Sequence, residues 1–156
     1  MRFWGAFSRL PGDEAATAEG REAQLQARIQ VVPTQAQAIS RRRVADKCIG
    51  NLLARSTEED GVWPPVAVCA VLEKCRADEM AKGVCLERMN RFWIHWVDEK
   101  GTGSLKEAAK YRAWADQRVT EYPFTAVSVL IPLAEGFEAQ AKSEGESLQA
   151  RKKAWQ

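Results

Sequence analysis

The sequence predicts a mainly α-helical fold: a small irregular helical bundle, or a set of helical hairpins, with extended N- and C-terminal arms. Helix caps and helix breakers recur along the chain, at Thr34, Pro65, Gly83, Ser104 and Pro123. The run 124–133 is the one good candidate strand, and a single strand without a partner does not form a stable sheet. We divide the 156 residues into an N-terminal arm (1–33), a central helical domain (34–122), and a C-terminal docking segment with a polar tail (123–156).

Residues 1–10 (MRFWGAFSRL) contain two arginines, no acidic residue and several large apolar side chains. In a helix, Phe3, Phe7 and Leu10 lie on one face, with Trp4 beside them. A basic amphipathic start of this kind is typical of organelle-targeting peptides and of interfacial membrane anchors. We therefore expect Phe3, Trp4 and Phe7 to contact a partner or a lipid surface. The alternative is an ordinary arm that packs on its own domain.

Two helices are predicted in the first third of the chain. Asp13 can cap a helix that runs to about Val31 and ends at Pro33, although this weakly apolar stretch could equally be partly extended. A second helix is predicted from Thr34 to about Ser56. Its apolar positions include Ile39, Val44, Cys48, Leu52 and Leu53.

The second predicted helix carries a basic triplet, Arg41, Arg42 and Arg43. Three consecutive residues occupy most of one helical turn, so they cannot all lie on one face. One interpretation is a solvated turn with local ion pairs. The other is a docking site for acidic groups of a partner or for phosphates.

The middle of the chain gives the clearest helical pattern. A helix is predicted to open near Pro65 and to kink, or to end and restart, around Gly83. The following seam has apolar residues three, four and three positions apart, and we expect its tryptophans to lie in a core or an interface: Leu86, Met89, Trp93 and Trp96. His95 points away from this seam, so we expect no metal site there.

Two further segments complete the predicted helical fold. Ser104 and Glu107 form a capping-box pattern that opens a helix ending near Tyr122. The run 124–133 is read either as a buried strand or as a short apolar helix, and we favour a helix or an extended docking segment. The polar tail that follows is predicted to be helical, and we expect Trp155 to contact a partner chain.

The four cysteines contain no C-x-x-C pair, which excludes a zinc ribbon and a thioredoxin motif. If the helices predicted over 34–56 and 65–82 form an antiparallel hairpin, Cys48 comes to lie near Cys75, and a disulfide between them is feasible. The alternative is four reduced cysteines that act as small hydrophobic side chains.

Cys75 and Cys85 form a C-x9-C pair, and the tryptophan-rich sequence RFWIHWVDEKGTG follows. Over about residues 75–103 the chain resembles the coiled-coil-helix-coiled-coil-helix subunits of mitochondria, such as cytochrome oxidase subunit VIb. That family carries two such cysteine pairs, whereas Cys48 and Cys69 do not form a second one. The resemblance implies oxidative folding in the intermembrane space and membership of a respiratory-chain complex.

Composition narrows the classes of function. Lys and Arg number 23 against 21 for Asp and Glu, a balance that argues against a nucleic-acid partner. His95 is the one histidine, which excludes zinc sites that need several. No stretch reaches the roughly 18–20 apolar residues of a membrane span, which predicts a soluble or peripheral protein. The dinucleotide-binding, P-loop, nucleophile-elbow and zinc-protease motifs are all absent.

These observations predict a non-catalytic accessory subunit of a larger multiprotein assembly, with other protein subunits as partners and without cofactor or metal. The first ten residues and the C-x9-C resemblance favour a mitochondrial complex, peripheral to the inner membrane, over a cytoplasmic location. Two alternatives stay open: a free-standing helical adaptor and a small enzyme without a recognisable motif.

Overall fold

A computed structural model describes residues 17–38, 41–93 and 102–154. In these residues the fold is mainly α-helical, as predicted. The helices are α1 (Ala18–Ala38), α2 (Arg42–Leu53), α3 (Val66–Cys75), α4 (Asp78–Trp93), α5 (Thr102–Arg118), α6 (Pro123–Thr125) and α7 (Ile131–Ala154), and a π-helical turn (Ala126–Leu130) joins the last two. The helices and the π-helical turn pack around one core, and each of them contributes apolar side chains to it.

Helix α1 belongs to the folded body and continues past the residue at which it was predicted to end. It runs through Pro33 to Ala38, so the predicted stop at Pro33 and the predicted start of the next helix at Thr34 are both wrong. Leu25 and Ile29 are buried, and the helix packs on α3 and α2. Ala, Gln and Glu residues give this segment a high helix propensity, and the burial of Leu25 and Ile29 stabilises the helix further.

Helices α2 and α4 run in the same direction and touch at two glycines. Arg43 pairs with Glu79 near their N-terminal ends, and Arg55 pairs with Glu87 further along. A Cβ added to Gly50 would lie 2.0 Å from the carbonyl oxygen of Met80. One added to Gly83 would lie 2.2 Å from that of Lys47. The two backbones are therefore in direct contact.

This crossing explains why the predicted kink at Gly83 is wrong. Gly83 lies inside α4, where it provides the close approach to α2. The chain instead breaks after α3, where Arg76 adopts a left-handed conformation with φ 42°. The antiparallel hairpin considered for the helices over 34–56 and 65–82 is not formed, because α2 packs chiefly along α4.

Helix α5 begins at Thr102, two residues before the predicted cap, and ends at Arg118. Ser104 is consequently a buried helical residue and not an N-cap, and its hydroxyl lies 3.4 Å from the carboxylate of Glu144. The apolar run 124–133 is helical, and it belongs to the core: Thr125, Ala126, Val129, Leu130 and Leu133 are fully buried. The segment after Pro123 therefore packs against the helices that precede it.

The π-helical turn is explained by Pro132. Because proline has no N–H, the carbonyl of Ser128 loses the donor that an α-helix would supply. The Cys85 thiol on α4 lies 3.9 Å from that carbonyl and 3.6 Å from the carbonyl of Val129, and donates to them. The turn thus receives from α4 a donor that its own sequence lacks.

Aromatic side chains join the loop before α3 to α5 and α7. Tyr111 stacks on Phe137 with ring centroids 5.5 Å apart, and packs edge-to-face on Trp63 at 6.0 Å and on Trp114 at 5.2 Å. The guanidinium of Arg88 lies 4.3 Å from the Trp63 ring and donates a 3.0 Å hydrogen bond to the Tyr111 hydroxyl. Phe137, in the predicted polar tail, is fully buried here.

Candidate partner-docking site

An open groove of about 550 Å³ lies between the N-terminal half of α2 and the start of α4. We call it the α2 groove. Its lining combines cationic, apolar and amide side chains with one carboxylate: Arg41, Arg43, Val44, Lys47, Cys48, Asn51 and Glu79. Two members of the basic triplet and one candidate disulfide cysteine are thereby brought together at one surface.

The basic triplet divides as helical geometry predicts. Arg41 and Arg43 line the groove, whereas the Arg42 guanidinium lies 3.7 Å from the buried carboxylate of Asp46. Among the described residues, no carboxylate lies within ion-pairing distance of Arg41 or Lys47. Their positive charges are available to a ligand.

Glu79 forms part of one wall of the groove and fixes the position of Arg43. Its carboxylate accepts hydrogen bonds from Arg43 at 2.9 Å and from Lys82 at 3.0 Å. These two cations lower the pKa of Glu79 to about 2, the bond from Arg43 being the larger cause. Glu79 is therefore ionised at neutral pH, and Arg43 is oriented without the groove losing its net positive charge.

The basic residues stand at the unfavourable end of their helix. The first turn of α2 contains arginines and no acidic residue, and Arg41 makes no side-chain cap. The N-terminus of a helix carries a partial positive charge, which repels cations and attracts anions. This placement lowers the stability of the isolated helix and raises the positive potential of the groove.

The floor of the groove is a strip of two exposed apolar side chains and one partly buried amide. Val44, Cys48 and Asn51 follow one another at spacings of four and three, which places them on one face of α2. Val44 is 61% exposed and Cys48 is also exposed, so these two apolar positions of the predicted helix do not face the core. Asp46, Ile49 and Leu53 face the core instead. These three residues lie on the opposite side of the helix from Val44 and Cys48, and this helical phase is the sequence signal that separates the buried face from the exposed one.

Glu79, Lys47 and Asn51 were missed by sequence reasoning. Glu79 is adjacent to the groove only because α2 and α4 run parallel, and nothing in the local sequence indicates that pairing. The Oδ1 atom of Asn51 is buried and has no hydrogen-bond partner among the described residues.

All four cysteines are free thiols in the structure. Cys48 lines the α2 groove, whereas Cys75 is half-buried on the side of α2 that carries Asp46. Burial, and to a lesser degree Asp46, raises the pKa of Cys75. Burial also raises the pKa of Cys69 and of Cys85 to about 12.

We predict that Cys48 is the first thiol to be alkylated in the native protein. At pH 8 a thiol with a pKa near 12 has about a thousandfold less thiolate than an ordinary one, so Cys69 and Cys85 will react only after unfolding. Mass spectrometry after timed iodoacetamide treatment measures the order. Cys48→Ser should abolish the fast phase. Equal rates at Cys48 and Cys85 would contradict the prediction, and protection of both Cys48 and Cys75 until reduction would establish the disulfide.

Several predicted contact residues lie outside the described part of the chain. They are Phe3, Trp4, Phe7 and Trp155. Also outside it are Trp96, expected in a core or an interface, and His95, where we expect no metal site. Trp93 is the last residue of α4, but its side chain is also outside the described part. Their predicted roles stay predictions.

Within residues 17–38, 41–93 and 102–154 no cluster of three or more His, Cys, Asp or Glu side chains is arranged to hold a metal ion. The helices of that same part lack a segment of the length and apolarity needed to span a membrane. Comparisons with protein-family models, with curated proteins and with solved structures found no match to this chain.

Proposed function

We propose that this chain is a non-catalytic accessory subunit that joins a larger protein assembly through the α2 groove. The observation that carries the proposal is the groove itself: exposed Val44 and Cys48 ringed by Arg41, Arg43 and Lys47. Exposed apolar surface rimmed by polar residues marks interaction sites, and arginine is enriched in protein interfaces.

The burial of Cys69 and Cys85 argues against thiol chemistry at these two residues. A nucleophilic cysteine needs a lowered pKa or a neighbouring base. Burial instead raises the pKa of Cys69 and Cys85, which keeps both thiols protonated at neutral pH. The candidate site lies elsewhere, on a surface suited to a macromolecular partner.

The finer part of the proposal is that the assembly is mitochondrial and peripheral to the inner membrane. It is supported by the basic amphipathic pattern of residues 1–10 and by the C-x9-C resemblance over about residues 75–103. Fractionation of the cells of origin, with immunodetection of the untagged chain, tests the location. Recovery in the cytosol alone would contradict it and leave the docking role standing.

A free-standing helical adaptor is the second candidate, and one observation favours it. The segment after Pro123, predicted to dock on a partner, instead places its buried residues in the chain's own core: Thr125, Ala126, Val129, Leu130, Leu133, Ala134 and Phe137. One of the two predicted arms thus contributes to an independently closed fold, as an adaptor requires.

Native purification separates the two candidates. The full chain, tagged in its cells of origin, should migrate in native electrophoresis as part of a stable complex far larger than its own 17.5 kDa. Reversing Arg41 and Arg43 to glutamate should reduce that complex, while circular dichroism shows an unchanged fold. A chain that migrates as a monomer in fresh lysate would overturn the subunit proposal.

A further inference from the structure

We infer that the α2 groove binds an acidic amphipathic helix of a partner protein. This inference rests on the docking role proposed above, and it specifies the chemistry and shape of the ligand.

The shape of the groove matches a helix. The lining residues from Arg41 to Asn51 cover about 15 Å along α2, which equals about three turns of a ligand helix. Val44, Cys48 and Asn51 form a strip along this length, flanked on the far side by α4. Helices that dock in grooves present apolar residues at i, i+3 or i+4, and i+7, the same spacing as this strip.

The charge of the groove selects an acidic ligand. Arg41, Arg43 and Lys47 outnumber the single carboxylate, Glu79, and that carboxylate is already bonded to Arg43 and Lys82. The positive end of the α2 dipole adds to the same potential. Carboxylates on the flanks of a ligand helix would meet these cations while its apolar face covers Val44 and Cys48.

A nucleic acid fits this surface less well. Single-stranded nucleic acids are held by stacking on aromatic side chains, and the lining of the groove contains none. Glu79 would oppose a continuous phosphate backbone. The exposed apolar strip would stay uncovered by such a ligand, which favours a peptide with an apolar face.

A model peptide and the Cys48 thiol provide the test. The probe is a fluorescein-labelled peptide of about four turns, with leucines on one face and glutamates on the other, titrated against the full chain by anisotropy. We expect binding that weakens with salt and slows alkylation of Cys48. The counterpart with lysine in place of glutamate should not bind.

Charge variants test whether the peptide binds in the α2 groove. Arg41→Glu combined with Arg43→Glu should weaken peptide binding about tenfold or more, and Glu79→Gln should strengthen it. Arg28→Glu, which reverses an exposed cation on α1, is the matched control and should leave affinity unchanged. Circular dichroism of each variant verifies folding.

The inference is overturned if the glutamate peptide fails to bind at millimolar concentration, or if the lysine peptide binds equally well. It is also overturned if an oligonucleotide or phosphatidylserine vesicles protect Cys48 better than the glutamate peptide does. Native electrophoresis distinguishes failure of the acidic-helix inference from failure of the proposed docking role. A complex that needs Arg41 and Arg43 while the peptide fails would leave the docking role intact and remove only the acidic helix.

Discussion

Replacing Gly83 by alanine is expected to destabilise the protein by about 3 kcal/mol or more. The new Cβ would lie 2.2 Å from the carbonyl oxygen of Lys47 and 3.2 Å from the backbone nitrogen of Asn51. Overpacking of a core costs about 1–3 kcal/mol when side chains can adjust, and backbone atoms adjust less readily. Because α2 must move away from α4, the loss should appear as a lower denaturation midpoint, followed by circular dichroism.

Other glycines in helices provide graded controls. Gly145→Ala meets nothing within 4 Å, so helix propensity alone should stabilise the protein by about 0.5–1 kcal/mol. Gly136→Ala meets the Met89 side chain, whose sulfur lies 2.9 Å away and can swing aside, so we expect a small change. If Gly83→Ala is as stable as Gly145→Ala, the two helices do not cross at this contact.

A double variant tests whether Gly50 and Gly83 act at one crossing. The Cβ of Gly50→Ala would lie 2.0 Å from the Met80 carbonyl oxygen. Once either alanine has separated the helices, the second has less to displace. The destabilisation of Gly50→Ala with Gly83→Ala should therefore be smaller than the sum of the two single effects. A strictly additive result would place the glycines in independent contacts.

The same crossing shows what local sequence can and cannot predict. Helical class, the start near Pro65 and the exclusion of an isolated strand follow from capping, breakers and periodicity, which act within a few residues. Gly83 was interpreted as a weak point because glycine lowers helix propensity. Its actual role depends on α2, more than thirty residues earlier in the chain, and no local pattern encodes that partner.

The residues of the candidate site are also predictable only where they are neighbours in the sequence. The basic triplet is visible in the sequence. Helical phase also predicts that Arg42 points in a different direction from Arg41 and Arg43. Glu79 joins them only through the parallel packing of α2 and α4, whereas the one pairing considered from sequence was an antiparallel hairpin of neighbouring helices. For the same reason Cys48 was paired with Cys75, although it lines a surface groove.

The packing of Phe137 reverses the expectation for the C-terminal tail. From sequence, deletion of residues 135–156 would leave the central helices folded. In the structure Phe137 is fully buried, with its ring stacked on Tyr111 at 5.5 Å, and Arg112 pairs with Glu138 at 2.8 Å. That deletion should therefore remove part of the core and destabilise the protein severely.

The point variant Phe137→Ala isolates the aromatic contribution and is expected to cost about 3–5 kcal/mol, the range for a buried phenylalanine that leaves a cavity. For a chain of this size such a loss lowers the melting temperature by roughly 10–15 °C. Phe137→Leu, which keeps most of the apolar volume, should cost less. Calorimetry or thermal circular dichroism measures both.

A shorter truncation separates the core from the true tail. Removing residues 147–156 leaves Phe137 and Glu138 in place, together with Glu144, which contacts Ser104 on α5. Because Glu146, Ser147 and Ala150 are exposed, this truncation should change the melting temperature by only a few degrees. If the protein lacking 135–156 melts as high as the one lacking 147–156, then residues 135–146 form an arm and the α5–α7 packing does not stabilise the fold. The opposite result assigns residues 135–146 to the folded body of the protein.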